Sequence, residues 1–264
     1  MKDFSRLGIR VKDGVMTLNG RPYHGVGVNF FPALSLCLDR VVYGDTRTDV
    51  EDYIRKLSEA GIPCMRVMFG VFYGEYVHLW AEKEKRAKYH EACDLLVSLA
   101  EKYRIGIIAS LFWNVNAFCD YVGDQLDLIA DPESRSTKLR LEYVSDIVGR
   151  YRFSPAIWAW EIGNELNLAC EMTDTGFTTS KGERTPFLTE YLTGYYKIIG
   201  RAVREIDPYR MLTGGDAAPR TNSMALYRSR GTVTEPENSR EDNRAALMWY
   251  TPAPLDTVSV HYPE

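Results

Sequence analysis

Short apolar segments alternate with helical segments along most of the chain, and this alternation limits the folds that the chain can adopt. The apolar segments are residues 23–31, 64–69, 105–113, 156–163, 211–215 and 257–261. Each is followed by a helical pattern or by a long loop. Short strands that are apolar on both faces and separated by helices are typical of a parallel sheet covered by helices. The pattern therefore predicts an α/β fold.

Start and stop signals mark the helical segments between these strands. Thr48 and Glu51 form a predicted capping box, and Gly61 supplies a stop signal after that helix. Apolar side chains recur at helical spacing over residues 82–103. Further helices are predicted from Asp131-Pro132 to about residue 151, from Thr185-Pro186 to about residue 206, and over residues 241–249.

Two architectures fit such a sheet, namely an open doubly wound sheet and a barrel. An open sheet that binds dinucleotides carries a Gly-rich phosphate loop after its first strand, but the G-x-G-x-x-G pattern is incomplete around Gly25 and Gly27. We therefore predict a (β/α)8 barrel of the TIM type, preceded by a β-hairpin around Asp13-Gly14. About six βα units are recognisable and the complete fold has eight, so we expect an incomplete barrel within one domain over residues 1–264.

The composition argues against several classes of protein. With 36 acidic and 32 basic residues the net charge is −4, and no basic cluster is present, so nucleic acid is not an expected partner. The five cysteines are scattered, so we predict neither a disulfide framework nor a zinc site, and we expect no metal or organic cofactor.

No stretch of the sequence has the length of a membrane span, so a membrane is not an expected partner either. The N-terminus lacks the apolar core of a signal peptide. The chain as written is therefore expected in the cytoplasm, or as a secreted or periplasmic protein if a leader has been removed.

The ends of the predicted strands carry a distinctive set of side chains. In a βα barrel the active site lies at the carboxyl ends of the strands. The residues at those ends are polar, aromatic or acidic, and they are Asn29, Arg66, Trp113, Asn114, Asn164, Glu165, Asp216, His261 and Tyr262. A barrel with only a structural role would not need such a set, so we predict a functional site there.

The segment 157–165, with the sequence IWAWEIGNE, resembles the fourth-strand motif of glycoside hydrolase family 5, the cellulases and mannanases of clan A. Other segments resemble parts of that family in the same order along the chain. They are VKDGVMTLNGRPYHGVGVNFF for the opening hairpin and first strand, RAVREIDPYRMLTGG for the approach to the fifth strand, and VSVHYP for the sixth-strand region. The resemblance covers nearly the whole chain, and the Asn-Glu strand is its most specific part.

This resemblance implies a retaining O-glycoside hydrolase that acts on β-linked glucan or mannan. Glu165 matches the family's general acid/base, and Asn164 matches the residue that holds the sugar 2-hydroxyl. Arg66 matches the arginine at the end of the second strand. His261 and Tyr262 match the His-x-Tyr region of the sixth strand, although here the two residues are adjacent. The predicted substrate-binding set is completed by Asn29, Trp113 and Asn114.

Several of these residues also have purely structural interpretations. Asn164-Glu165 is typical of a helix N-terminus, because Asn caps helices well and an early Glu suits the helix dipole. Arg66 can form a core ion pair with Glu161, which is compatible with a role in the site. Trp113 and His261 can be packed and hydrogen-bonded parts of the core.

The sequence does not identify the second carboxylate that a retaining mechanism requires about 5–5.5 Å from the acid. Glu161 lies roughly 13 Å from Glu165 along an extended strand, which is too far. Asp216 and Glu264 are weaker candidates for a replacement nucleophile. The family's nucleophile follows its seventh strand, so we expect it beyond residue 264 and expect this chain alone to be inactive or weak.

Three functional hypotheses follow from these patterns. The chain can be a truncated form of a working hydrolase. It can be a short chain that completes its barrel by self-association through exposed sheet edges. It can also be a non-catalytic carbohydrate-binding barrel that kept the cleft and lost the nucleophile.

Overall fold

The computed structural model describes residues 7–70, 74–171, 187–230, 232 and 235–262. The first sheet is a small antiparallel one formed by β1 (Ile9–Lys12), β2 (Val15–Leu18) and β3 (Arg21–Pro22). Its first turn is Asp13-Gly14, in which both residues have a positive φ, at 51° and 76°. Two positive φ angles characterise the tight turn that matches the twist of a hairpin, which confirms the predicted β-hairpin.

The second sheet is parallel and contains five strands in chain order. It is formed by β4 (Val28–Asn29), β5 (Cys64–Met68), β6 (Gly106–Phe112), β7 (Ile157–Gly163) and β8 (Met211–Thr213). The strand order never reverses, whereas a doubly wound sheet has a point of reversal at which it binds its ligand. The order is that of a partial (β/α) barrel, as predicted.

Helices connect the parallel strands and cover one face of the sheet. They are α1 (Ala33–Tyr43), α2 (Val50–Glu59), α3 (Gly74–Ala81), α4 (Lys83–Tyr103), α5 (Asn116–Val122), α6 (Arg135–Tyr151), α7 (Leu168–Glu171), α8 (Thr189–Ile206), α9 (Ser223–Ser229) and α10 (Arg240–Tyr250), with a 3₁₀ turn at Leu126–Ala130. Over the described ranges, no helix combines the length and apolar character needed to cross a membrane.

Strand alternation separates the two faces of the parallel sheet. On β6, Ile107, Ala109 and Leu111 belong to the large core shared with the helices, whereas Ile108 lines the concave side. On β7, the Trp160 ring lies in the helix-side core, and its N–H donates to Asp207 at 2.9 Å. The concave side has its own small apolar cluster of Ile9, Ala159 and Met211, which joins the hairpin to the sheet.

The predicted first parallel strand, residues 23–31, is mostly wrong, because only Val28–Asn29 is a strand. A glycine in a strand often marks a close approach of backbone rather than a regular ladder. A Cβ on Gly27 would lie 2.6 Å from Cys64 Sγ, so the chain passes too close to β5 for a side chain at that position. The sequence patterns also missed α1, which begins directly after this segment.

Helix starts differ from the predictions in two places. The cap of α2 is Asp49 rather than Thr48, and the Asp49 carboxylate accepts from the backbone N–H groups of Glu51 and Asp52. The helix predicted from Asp131-Pro132 begins at Arg135, and the Ser134 hydroxyl caps it by accepting from Thr137 N–H. The predicted start at Thr185-Pro186 lies outside the described residues.

The predicted sixth strand, residues 257–261, lies where a sixth barrel strand belongs but is not a regular strand. It meets the chain after β8 through two isolated parallel bridges, Thr213 with Thr257 and Ala217 with His261. The bridges preserve the parallel direction, so His261 still reaches the carboxyl end of the sheet.

The close approach of the backbone at Gly70 generates a stability prediction. A Cβ there would lie 1.6 Å from the Leu111 carbonyl oxygen, whereas a Cβ on Gly149 in α6 would meet nothing within 4 Å. Gly70→Ala should lower the free energy of unfolding in urea by at least about 1–3 kcal/mol, the usual cost of overpacking. Gly149→Ala should raise it by about 0.5–1 kcal/mol. A Gly70→Ala variant as stable as the unmodified protein would contradict the strand packing.

Candidate active site

A cleft of about 650 Å³ opens on the concave side of the parallel sheet. Its lower part is apolar and is lined by the hairpin and the inner strand positions, including Ile9, Met16, Tyr23, Ile108 and Met211. Its upper part lies at the carboxyl ends of the strands and is polar, lined by Asn29, Arg66, Asn164, Glu165 and His261. A cleft with an apolar floor and a few convergent polar groups is the usual form of a ligand site.

Arg66, in the polar part of the cleft, forms an ion pair with the buried Glu161. Its Nε lies 3.0 Å from both carboxylate oxygens of Glu161, and its Nη2 lies 2.7 Å from Oε1. The Glu161 side chain is only 4% exposed and that of Arg66 15%, so solvent screens the pair little. The ion pair weighed from the sequence is therefore confirmed, and Arg66 also lies in the predicted site.

The same guanidinium orients Asn164. Arg66 Nη2 donates to Asn164 Oδ1 at 2.9 Å. The helix that follows is α7, which begins only at Leu168, and the Asn164 side chain is bonded to Arg66 rather than to a helix N–H. The interpretation of Asn164 as a helix cap is therefore wrong. Because Arg66 holds Asn164 Oδ1, the orientation of the amide nitrogen Nδ2 is fixed as well.

Glu165 has an unusual backbone conformation, with φ at +53°. Non-glycine residues adopt this left-handed region at a cost on the order of 1–3 kcal/mol, and such residues are often found at functional sites. The Glu165 N–H donates to the Gly215 carbonyl at 2.7 Å, which fixes the turn to the segment after β8. The carboxyl group is 38% exposed, and Oε1 lies 3.2 Å from His261 Nδ1.

His261 reaches Glu165 although 96 residues separate them in the sequence. Its backbone N–H donates to the Asp216 carbonyl at 3.0 Å, and its own carbonyl accepts from Ala218 N–H at 3.0 Å. These bonds attach the predicted sixth strand, residues 257–261, to the chain after β8. The geometry brings together Arg66, Asn164, Glu165 and His261.

Two other predicted residues lie close to this group. Asn29 pairs in register with Arg66 on the neighbouring strand and lines the cleft. The Trp113 ring faces the Arg66 guanidinium at 4.4 Å and the Phe31 ring at 6.1 Å. The sequence patterns missed Phe31, which is 49% exposed, and they also missed His24, which lines the cleft. An aromatic residue at the end of the predicted strand 23–31 was the available signal for Phe31.

Asn114 and Tyr262 lie apart from the cleft lining. Asn114 Oδ1 accepts from the Asn116 N–H at 3.0 Å and so forms the turn that leads into α5. Tyr262 is 79% exposed. A role for either in substrate binding stays a prediction.

Among the described residues that line the cleft, Glu165 supplies the only carboxyl group. Asp216, a candidate replacement nucleophile, is buried and accepts from the Tyr196 hydroxyl at 2.6 Å. Burial raises the pKa of Asp216 to about 8, with added repulsion from Glu161 and Glu171. A buried, protonated carboxyl is a poor nucleophile. Glu264, the other candidate, lies outside the described residues.

Within the described ranges, no group of three or more His, Cys, Asp or Glu side chains is arranged to hold a metal ion.

The pKa of Asp216 generates a prediction about stability and pH. An unfolded aspartate ionises near pH 4, whereas the folded chain keeps Asp216 protonated up to about pH 8. Between these values unfolding releases a proton, so this residue lowers the free energy of unfolding by about 1.4 kcal/mol per pH unit as the pH rises. Between about pH 5 and about pH 8, the free energy of unfolding measured in urea should therefore fall less with rising pH for Asp216→Asn than for the unmodified protein.

The exposed turn residue Asp13 provides the control, because Asp13→Asn should leave the slope of stability against pH unchanged. An Asp216→Asn variant with the same slope as the unmodified protein would show that Asp216 is ionised in the folded state.

No protein-family model matches the chain. Mannan endo-1,4-β-mannosidase F of Aspergillus clavatus is 31% identical over 133 residues, which cover 47% of this chain and 26% of that protein. The chain thus matches about a quarter of the length of its curated relatives.

Solved structures share the fold. The endo-1,4-β-mannanase from Rhizomucor miehei superposes with a TM-score of 0.58 at 16% identity, covering 80% of this chain and 61% of that one. The glycoside hydrolase family 5 mannosidase from Rhizomucor miehei superposes with a TM-score of 0.55 at 14% identity, covering 84% and 59%. By sequence the chain is similar to mannan endo-1,4-β-mannosidases over about half of its length, and by fold it is similar to a β-mannanase and a glycoside hydrolase family 5 mannosidase.

Proposed function

We propose that the chain carries the acid/base part of the active site of a retaining glycosidase that cleaves β-linked mannan or glucan. The observation that supports this most directly is the position of Glu165. It lies at the carboxyl ends of parallel strands, in the polar part of a cleft, beside Asn164. Active sites of this barrel type lie at that end of the strands.

Glu165 is proposed to act as the general acid and then as the general base. In the first step the nucleophile bonds to the anomeric carbon while the bond from that carbon to the glycosidic oxygen breaks, and the Glu165 proton passes to the departing oxygen. In the second step the carboxylate takes a proton from a water that bonds to the anomeric carbon while the bond to the nucleophile breaks. His261 Nδ1, at 3.2 Å, is placed to hold the carboxyl in one orientation through both steps.

Asn164 is proposed to bind the sugar hydroxyl next to the reacting carbon. Its Oδ1 accepts from Arg66, so the amide nitrogen is left to donate to the substrate. The Glu161 carboxylate fixes Arg66 in turn. A donor held in place before the substrate binds costs less ordering entropy when the transition state forms.

The nucleophile is proposed to come from outside the described residues, since Glu165 is the sole carboxyl group among the described residues of the cleft. Within the described part of the chain, β4 pairs with β5 alone. A further strand can therefore add at this edge, either from the same gene product or from a second copy of the chain. Light scattering of the purified protein distinguishes a monomer from a self-associated form.

Mannan is the substrate class that we propose first, because the relatives that match by sequence and by fold are named as mannan-cleaving enzymes. Phe31 and Trp113 offer exposed and half-buried rings beside the polar cleft, and sugar rings pack well on aromatic faces. β-Glucan is the second candidate. The cellular compartment in which the protein acts stays a prediction.

The acid/base role predicts a dependence on the leaving group. In the complete gene product, Glu165→Gln should lower kcat/KM on β-mannan by about 10²–10⁴-fold, the usual contribution of general acid catalysis. The first step on 2,4-dinitrophenyl β-mannoside needs no protonation, so that step should be nearly unchanged in a pre-steady-state burst assay. The exposed Glu133 gives a matched control, because Glu133→Gln should retain full activity on both substrates.

Equal losses on the two substrates would contradict the acid/base role. Calorimetric binding of manno-oligosaccharides by a gene product that hydrolyses neither substrate would identify a carbohydrate-binding barrel instead of an enzyme.

A further inference from the structure

Asn167 is a fully buried polar residue that the proposed chemistry does not use. It lies two residues after Glu165 and directly before α7. Its Oδ1 accepts from the Ala217 N–H at 2.9 Å, and its Nδ2 donates to the Ala217 carbonyl at 3.1 Å. One side-chain amide therefore binds both polar groups of a single residue in the segment after β8.

These two bonds continue the pairing of β7 with β8 beyond the end of both strands. The regular ladder ends at Glu161 opposite Thr213. Gly163 N–H then donates to Gly214 at 3.0 Å, and Glu165 N–H donates to Gly215 at 2.7 Å. The next step is made by the Asn167 side chain rather than by backbone. Asn167 thus closes the pairing just past the turn that holds Glu165 at a positive φ.

The peptide that Asn167 binds is also the one that docks His261. Ala217 and His261 form a parallel bridge, in which His261 N–H donates to Asp216 and Ala218 N–H donates to His261. Ala217 is therefore held between Asn167 on one side and His261 on the other. Glu165 and His261 belong to distant parts of the chain, and the Ala217 segment is the structure that connects them.

A local role does not account for Asn167. An Asn before a helix commonly caps it by accepting from the first N–H groups of that helix, but Asn167 Oδ1 accepts from Ala217 instead. Its remaining donor contact is with Glu171 Oε1 at 3.4 Å. Glu171 is buried, and its other oxygen accepts from Arg220 N–H at 2.8 Å. The amide is thus part of a polar network that ties α7 to the segment after β8.

We propose that Asn167 is a positioning residue that sets the distance between Glu165 and His261 by binding both polar groups of Ala217. The role in catalysis rests on the proposed function of Glu165. Removal of the amide leaves the buried N–H and C=O of Ala217 without these partners, and an unmet buried polar group destabilises its local conformation. The segment after β8 is then able to shift relative to Glu165, and the Glu165–His261 contact loosens.

The test compares three variants of the complete gene product. Asn167→Ala removes both bonds to Ala217. Asn167→Asp keeps an acceptor for the Ala217 N–H and removes the donor to its carbonyl. Asn238→Ala is the matched control. Asn238 also ties backbone groups together, accepting from Met224 N–H at 3.0 Å and donating to the Arg220 carbonyl at 3.0 Å, but it has no bond to residues 216–218, which dock His261.

The first measurement needs no catalysis and follows the NMR signal of His261 Nδ1, the ring nitrogen that contacts Glu165. Glu165→Gln assigns this signal by shifting it. Asn167→Ala should broaden or remove it, Asn167→Asp should shift it by a smaller amount, and Asn238→Ala should leave it in place. An unchanged signal in folded Asn167→Ala would overturn the proposal, whatever the activity of the protein.

The second measurement is the ratio of kcat/KM on mannan to kcat/KM on 2,4-dinitrophenyl β-mannoside, both of which report the first chemical step. Asn167→Ala should lower this ratio on the order of 10- to 100-fold, because small displacements of a catalytic group carry losses of that size. A simple loss of folded protein lowers both rates equally and leaves the ratio unchanged. If Asn167→Ala fails to fold, Asn167→Asp carries the same two tests with smaller expected changes.

The two proposals fail in different ways. If Glu165→Gln lowers the ratio and Asn167→Ala does not, the acid/base role holds and the positioning role is wrong. If Glu165→Gln leaves the ratio unchanged, the acid/base role is wrong, and the His261 signal alone then decides whether Asn167 positions the pair.

Discussion

The ion pair between Arg66 and Glu161 is the interaction on which the candidate site depends. It spans the sheet from β5 to β7, across β6, and it is buried on the concave side. Two charges buried without partners would be strongly destabilising, so the bidentate geometry and the additional contacts of the guanidinium are essential. The Trp113 ring covers one of its faces, and Asn164 accepts from its remaining edge. A charged pair at the polar end of the cleft therefore fixes the orientation of a neutral amide beside it.

The two sides of Glu165 are held by different means. On one side the ion pair fixes Asn164, the preceding residue. On the other side, backbone bonds and the Asn167 amide attach the turn to the segment after β8, and His261 docks on that segment. The left-handed φ of Glu165 is tolerated because both flanks of the turn are tied down. Side chains whose conformations are fixed by packing and hydrogen bonds are what a proton-transfer site requires.

The sequence predicted those features that depend on local pattern or on strand position. The hairpin at Asp13-Gly14, the strand 64–69 and the helix 82–103 follow from turn chemistry and apolar periodicity, and each is present with nearly the expected bounds. Arg66 and Glu165 could be assigned to one end of the sheet because parallel strands place their carboxyl ends together. The pairing of Arg66 with Glu161 could be weighed from the same argument.

The features that were missed depend on contacts between distant segments. The apolar composition of residues 23–31 is that of a strand, but the approach to Cys64 at Gly27 prevents a regular ladder there. The partner of Asn167 is 50 residues away, and no local pattern distinguishes a buried amide that binds backbone from an ordinary helix cap. Asn114 at a strand tip has the same residue type as Asn164, yet its oxygen is used in a local turn. Which hydrogen bond an amide makes is decided by tertiary structure.

The most direct test of the central claim is a crystal structure of the Glu165→Gln gene product with a bound β-1,4-manno-oligosaccharide. We expect the oligosaccharide to cross the cleft, with one glycosidic oxygen about 3 Å from the side chain at position 165 and the neighbouring sugar hydroxyl bonded to Asn164. An oligosaccharide bound in the cleft with every glycosidic oxygen far from position 165, or bound on another face of the sheet, would contradict it.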